Sequence, residues 1–479
     1  MQKKIEITKM LYFYIFAFLG IMLFFCAVSL NPNNDMWWMM ATGRYIIKNK
    51  IIPTINPFVI HDEYSIIIQQ WITAIFNYLI YKYFGNWGFI CVSILITVIS
   101  IILTYAYISN FTQNSSIKVI LTFCAGFIYS MFAVTRPTLF TIPIVLTEMI
   151  LLEKWKRSRT YKWLIFIIPL SILEINIHAA LWPIILILTF PYLVPAPTIK
   201  FLNELWNNKA ILILDVAILF SGLLNPHGVS GMLYLIKSLK KTNLMAYIAE
   251  LQPPTLSGVY GIIIIIIQII TIVIYVIKNK TESDITIVYL SLGTITMSSL
   301  AIRNAWMSII GCLPLFAIVI PNKFFRKKRF YEFGKILIIN GVLLFCLFYL
   351  FSFAISNIDS KNESLKEAAE YLAEHTDPEK ERIYTSFNDG GMFEWYGFKV
   401  YTDARPELYT EEINKKESID DEIYAVETGC IDYKSFFNKY DFTYIIADKN
   451  KPIWFYMNQN LTYVSIYEND SVEIFKKDS

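Results

Sequence analysis

The chain has 479 residues, 55% of them hydrophobic and 16% aromatic, with a mean hydropathy of +0.46. That is too apolar for a soluble globule of ordinary make-up. A formal net charge of +3 does not point to nucleic acid, and no nucleic-acid partner is expected.

The placement of charge along the chain is more informative. Lys3, Lys4 and Lys9 precede an apolar run over 10–30. That run is too long for a signal-peptide core and lacks a small-residue cleavage site, so it reads as a retained first span with the amino terminus inside. A polar and aromatic stretch over 31–65 follows, and then 66–84, whose status decides the topology. If 66–84 crossed the membrane, Lys154, Lys156, Arg157, Arg159 and Lys162 would land outside, against the positive-inside rule. It carries Gln69, Gln70, Trp71, Asn77, Tyr78, Tyr81, Lys82 and Tyr83, so it is amphipathic and is placed along the outer interface.

Spans are then expected at 87–109, 117–135, 138–153, 161–177, 180–195, 209–224, 258–277, 284–302, 305–320 and 335–357. With the first, that makes about eleven. Inside loops carry the cluster from Lys154 to Lys162, then Lys200, Lys209, Lys278, Lys280 and the basic run over 323–335. Outside, positive charge gathers in two long segments, with Arg44, Lys48, Lys50 and Lys82 in the first and Lys237, Lys240 and Lys241 in the second. Interfacial helices are expected at about 36–84 and 229–255.

Beyond 358 the chain becomes charged, with strand-like runs at 382–387, 399–402, 443–447, 463–467 and 472–475. Helical stretches fit 364–375 and 410–427. The expected fold is a polytopic α-helical membrane protein over 1–358, with a C-terminal extracytoplasmic α/β domain over 359–479. Cys26, Cys91, Cys124, Cys312 and Cys346 lie in apolar spans and only Cys430 in the tail, so no disulfide framework exists there.

The residues able to do chemistry fall at the ends opposite the basic clusters. Asp35 stands just beyond the first span, beside Trp37 and Trp38. It could bind a divalent cation such as Mg or Mn, or accept a proton from an attacking hydroxyl. The plain alternative is an aromatic anchor with an acid in water. Arg136 and Arg303 sit at outer span ends, where positive charge is uncommon. Their planar forks suit a lipid phosphate; snorkelling, or pairing with Glu174 or Glu250, is the alternative. His178 follows Glu174 and Asn176, and could be a base, a phosphate donor, a metal ligand or a polar helix cap. His61 and His227 also lie at the outer face, and Asn225, Pro226, His227 and Gly228 make a turn signal before they make a substrate loop. In the tail, Asn388, Asp389, Gly390 and Gly391 form a turn, and Asp403 and Arg405 follow a strand. The acid–arginine pair could touch sugar or brace the tail on the membrane part.

Several of these pieces form an ordered pattern. It runs through Asp35, Trp37, Trp38, Thr42, Gly43, Arg44, Pro53, Asn56, Pro57, Phe58, Gln70 and Trp71. It continues through Arg136, Pro137, Asn176, His178, the 224–228 turn, Glu250, Gln252, Pro253 and Pro254, and ends on 387–391, Asp403 and Arg405. This order resembles bacterial membrane glycosyltransferases of the GT-C class over nearly the whole chain. The resemblance implies transfer of a sugar from a polyprenyl-phosphate carrier to an outward-facing acceptor at the cell membrane. It implies a catalytic role for Asp35, although no second acid stands beside it, as a metal site would favour. It implies carrier-phosphate contacts from Arg136, Arg303 and His178; Asn176, His227 and Glu250 are further candidates for substrate binding, and Asp389, Asp403 and Arg405 are candidates for acceptor or tail contacts. Two rival classes remain: a polysaccharide polymerase or ligase using a pyrophosphate-linked donor, and a non-enzymatic lipid or solute transporter, for which Asp215 within a span is the main sign. No oligomeric state follows from the sequence.

Overall fold

The computed structural model describes residues 34–130, 136–194, 208–238, 248–255, 259–278, 284–320, 360–460 and 462–478. The spans expected at 10–30 and 335–357 lie outside the described residues. Among the described residues, the helices Trp71–Ile108 and Ile302–Val319 are long and apolar enough to cross a bilayer. Shorter apolar helical stretches include Ile117–Gly126, Pro183–Leu193, Ile264–Val273 and Ile285–Leu300.

The Trp71–Ile108 helix is broken at Gly85, whose φ of 58° and ψ of −150° only glycine adopts without strain. The break falls between the amphipathic 71–84 stretch and the apolar stretch beyond it. The first stretch packs on the Asn34–Asn49 helix; a Cβ on Gly43 would come within 2.1 Å of the Ala74 carbonyl oxygen, so only glycine lets the two backbones approach so closely.

Polar contacts define the two ends of the helical bundle. The Pro137–Ser158 helix opens with proline in its first turn, where its missing N–H costs nothing, and closes with Lys156 and Arg157 at the negative end of the helix dipole. At that closing end Lys156 pairs with Asp284, Arg157 donates to the Asn110 carbonyl, and Arg159 donates to Asn208 Oδ1 at 2.9 Å. The opposite ends of the same helices carry Arg136, His178, the 224–228 turn and Arg303. The alternation read from charge is therefore a physical separation of a basic end from an Asp35 end.

Residues 360–478 form a mixed sheet ordered β2-β1-β3-β5-β4. The strands are β1 Arg382–Tyr384, β2 Lys399–Val400, β3 Tyr444–Asp448, β4 Tyr463–Glu468 and β5 Val472–Lys477. β1 pairs parallel with β2 and β3, while β5 runs antiparallel between β3 and β4. Every β3 residue is buried, as a central strand covered on both faces requires. The helix expected over 410–427 is two pieces, Glu411–Asn414 and Asp420–Thr428. Lys415 takes a left-handed φ of 62°, which ends the first piece, and Asn414 turns its side chain back to the Lys416 amide.

The sheet does not stand alone. Val59 pairs with Val400 on the β2 edge, through Ile60 N donating to Val400 O at 2.9 Å and Val400 N donating to Phe58 O at 3.0 Å. One apolar core runs from Met36, Trp37 and Val59 to Ile383, Val400 and Ile445. His61 seals this junction: its Nε2 lies 2.8 Å from the Tyr401 carbonyl, and its ring stacks on Tyr64 with centroids 4.8 Å apart.

Burial lowers the His61 pKa to about 4, outweighing the upward pull of the Tyr401 hydrogen bond and Glu422. Between there and the ordinary value near 6.5, the unfolded chain binds more protons. The stability this group contributes is complete above about 6.5 and disappears as pH falls through 4. Thermal unfolding across that window should therefore show a pH slope in wild type that flattens in His61→Gln. An equal slope in both would assign the junction's acid sensitivity to other groups.

Candidate functional site

Asp35 lies in the first turn of the Asn34–Asn49 helix, where the helix dipole favours a carboxylate. Its Oδ1 accepts a hydrogen bond from Trp38 Nε1 at 3.2 Å, and its Oδ2 pairs with Arg136 Nη2 at 2.8 Å. The same guanidinium reaches Glu250 Oε2 through Nη1 at 2.6 Å. Two carboxylates thus share one guanidinium at the Asp35 end of the bundle. These three residues, more than a hundred positions apart, are the sequence candidates that the fold brings into direct contact.

Asn176 and His227 act on the chain that leads into the site. Asn176 Oδ1 accepts from Trp71 Nε1 at 2.7 Å, and its amide nitrogen donates to the Leu224 carbonyl at 2.8 Å. His227 Nε2 accepts from the Ile68 amide at 3.0 Å. Gln69 receives the Ala179 and Ala180 amides on its carbonyl and its side chain. Together they fasten the 66–71 segment to the bundle.

His178 Nδ1 stands 3.1 Å from Thr141 Oγ1, away from the Asp35 triad by contact. Arg303 is exposed and has no ion-pair partner among the described residues. The Ile302 amide beside it donates to the Gln252 carbonyl at 2.9 Å, two residues from Glu250.

The tail covers Asp35 from the other side. A Cβ on Gly391 would come within 3.1 Å of Asn34 O and Trp38 N, so the Asp389–Gly391 turn lies on the first turn of the Asp35 helix. Asp389 is buried and paired with Lys361 at 3.2 Å, and Lys361 also holds Asp448 at 2.6 Å. Burial raises the Asp389 pKa to about 6 against the opposing pull of Lys361.

Arg405 is buried between Asp403 at 2.7 Å and Glu394 at 3.3 Å, with its guanidinium carbon 4.5 Å from the centre of the Trp38 ring. Burial alone would raise Asp403, but Arg405 beside it holds that carboxyl below its ordinary range. Glu394 is pushed well up, by burial first and by Asp403 second. Trp38 therefore has Asp35 on its indole nitrogen and Arg405 on its face. Asp389, Asp403 and Arg405 are engaged in these buried contacts rather than displayed on a surface.

Glu394, Glu407 and Tyr234 were not singled out by sequence reasoning. Tyr234 donates to Glu407, and both line a small cavity with Trp38, Gln70 and Arg405. Glu394 lies in the Gly390–Tyr396 helix, and nothing in its local spacing marks it. Among the described residues, no three His, Cys, Asp or Glu side chains gather as metal ligands. Asp35 and Glu250 converge on Arg136.

No family model and no curated sequence matches the chain. Solved structures do match. An Archaeoglobus fulgidus oligosaccharyltransferase, tethered to an acceptor peptide, superposes with a TM-score of 0.63 at 11% identity, over 91% of this chain and 69% of that one. ArnT from Cupriavidus metallidurans, bound to undecaprenyl phosphate, superposes with a TM-score of 0.56 at 9% identity, over 98% of both chains. The same oligosaccharyltransferase complexed with zinc and sulfate gives a TM-score of 0.56 at 12% identity, over 89% of this chain and 68% of that one. The chain has a GT-C-like fold. That is a polytopic membrane fold, and the resemblance found in the ordered motifs extends to the architecture.

Proposed function

We propose that this GT-C-like protein is a membrane glycosyltransferase that moves a sugar from a polyprenyl-phosphate carrier to an extracytoplasmic acceptor of the bacterial cell envelope. The observation that carries this reading is the Asp35–Arg136–Glu250 cluster, at the end of an apolar bundle and beneath the tail. Its support from likeness is that ArnT is bound to undecaprenyl phosphate and the oligosaccharyltransferase is tethered to an acceptor peptide.

The reaction is inversion by direct displacement at the anomeric carbon. Asp35 takes the proton of the acceptor hydroxyl as the new carbon–oxygen bond forms and the carrier phosphate departs. Arg136, gripped by two carboxylates, orients Asp35 and faces the charge that develops. Arg303 is left for the departing phosphate, where an arginine fork is worth most in a water-poor site. His178 adds a polar group at the same end, and Asn176 and His227 hold the wall of the site. The tail sets acceptor access through Trp38, with Asp389, Asp403 and Arg405 bracing it. Arg136 already holds both Asp35 and Glu250, so a magnesium-type cation would have to take Asp35 together with substrate phosphate, and it would then supply further neutralising charge for the leaving group.

Native mass spectrometry of gently purified protein tests the carrier site. Wild type is expected to retain a polyprenyl-phosphate-type mass that an Arg136→Ala, Arg303→Ala double variant loses. Retention by both forms would reduce the arginines to headgroup anchors and remove the carrier reading.

A further inference from the structure

The bundle contains acids that the proposed transfer does not use. Glu148 and Glu174 are wholly buried on neighbouring helices, as is Thr141. Thr141 Oγ1 donates to Glu174 Oε1 at 2.7 Å and stands 3.1 Å from His178 Nδ1. Imidazole nitrogen, hydroxyl and carboxyl therefore stand in a single line of two contacts, with Thr141 donating to Glu174. Glu148 lies seven residues beyond Thr141 on the same helix, two turns or roughly 10 Å deeper into the bundle.

Neither oxygen of Glu148 has a hydrogen-bond partner among the described residues, and Glu174 Oε2 has none either. A carboxylate without donors in so apolar a place is costly as the anion. These surroundings accommodate the proton-bearing acid instead. The titratable groups that face Glu148 are Asp215 and Glu174, and Arg303 faces His178. Asp215 itself accepts from Thr189 at 2.6 Å.

We propose that His178, Thr141 and Glu174 form a proton relay opening at the Asp35 end of the bundle. The proton of the neutral Glu174 acid passes to Thr141 Oγ1 as the threonine proton passes to His178 Nδ1, leaving a carboxylate and an imidazolium; the return step reverses both transfers. One proton enters and one leaves at each link, so no co-reactant is needed. The ligand of this site is the proton, and the relay stands independently of the transferase reading.

Infrared spectroscopy of the full-length protein in lipid, stepped in pH and exchanged into heavy water, tests it. Wild type is expected to show two carboxylic-acid carbonyl bands near neutral pH, both shifting on deuteration. Glu148→Gln and Glu174→Gln should each remove one. Thr141→Val should keep both bands and slow deuteration of the Glu174 band by about tenfold, while Thr141→Ser restores it. If Thr141→Val does not fold, His178→Phe interrupts the same line one link further out. Absence of both bands, or exchange unchanged by breaking the line, would overturn the relay without bearing on transfer at Asp35.

Discussion

Asp35→Asn is expected to lower sugar transfer by about 10²–10⁴-fold, the range supplied by a positioned general base. The substitution keeps the side-chain length and an oxygen to accept from Trp38 Nε1, and it removes the charge, the basicity and the acceptor that faces Arg136. Arg136 retains Glu250 at 2.6 Å, so the bundle end should hold its shape. The measurement is incorporation of label from polyprenyl-phosphate sugars into the acceptor fraction of membranes, alongside carrier retention by native mass spectrometry. Transfer should fall while carrier binding persists. If transfer survives Asp35→Asn but not loss of the arginines, the polymerase or ligase reading takes its place. If neither substitution matters, transport becomes the reading to pursue.

Arg405→Ala should destabilise the tail by about 3–5 kcal/mol, the cost of removing one partner from a buried ion pair. Arg405 is the cation between Asp403 and Glu394, and its loss strands the Asp403 charge in a buried core. It also uncovers the Trp38 ring on which the guanidinium lies. Adding Asp403→Asn to Arg405→Ala should recover part of the loss, because the stranded charge is then gone. Thermal unfolding of the two single variants and the double variant measures this coupling. Simple additivity would mean that Arg405 and Asp403 contribute separately. Because Trp38 also donates to Asp35, Arg405→Ala should weaken transfer even in molecules that remain folded.

Much of the architecture was legible in the sequence because it rests on local patterns. Apolar runs of helical length, a proline at the start of one and basic residues at its close, mark helix ends through backbone and dipole effects within a few residues. The tail's strand-like runs are likewise local, and each overlaps a strand of the sheet. The same reasoning failed over 410–427. There helical composition continued across Lys415, but the backbone turned left-handed. It also passed over the helices Gly390–Tyr396, Tyr433–Tyr440 and Pro452–Met457, which are too short for periodicity to speak.

The site divides in the same way. Charge placement alone put Asp35, Arg136, His178, Glu250 and Arg303 at one set of span ends, because the rule that sorts lysine and arginine acts loop by loop. Which of them touch was settled by tertiary packing. Arg136 meets Glu250 across 114 positions and Asp35 across a similar separation. Trp38 finds Arg405, and Asp389 takes Lys361 rather than a sugar-facing surface. Residue spacing reports which face of an element is apolar. The identity of the group opposite depends on how distant elements stack, and that is a property of the folded chain.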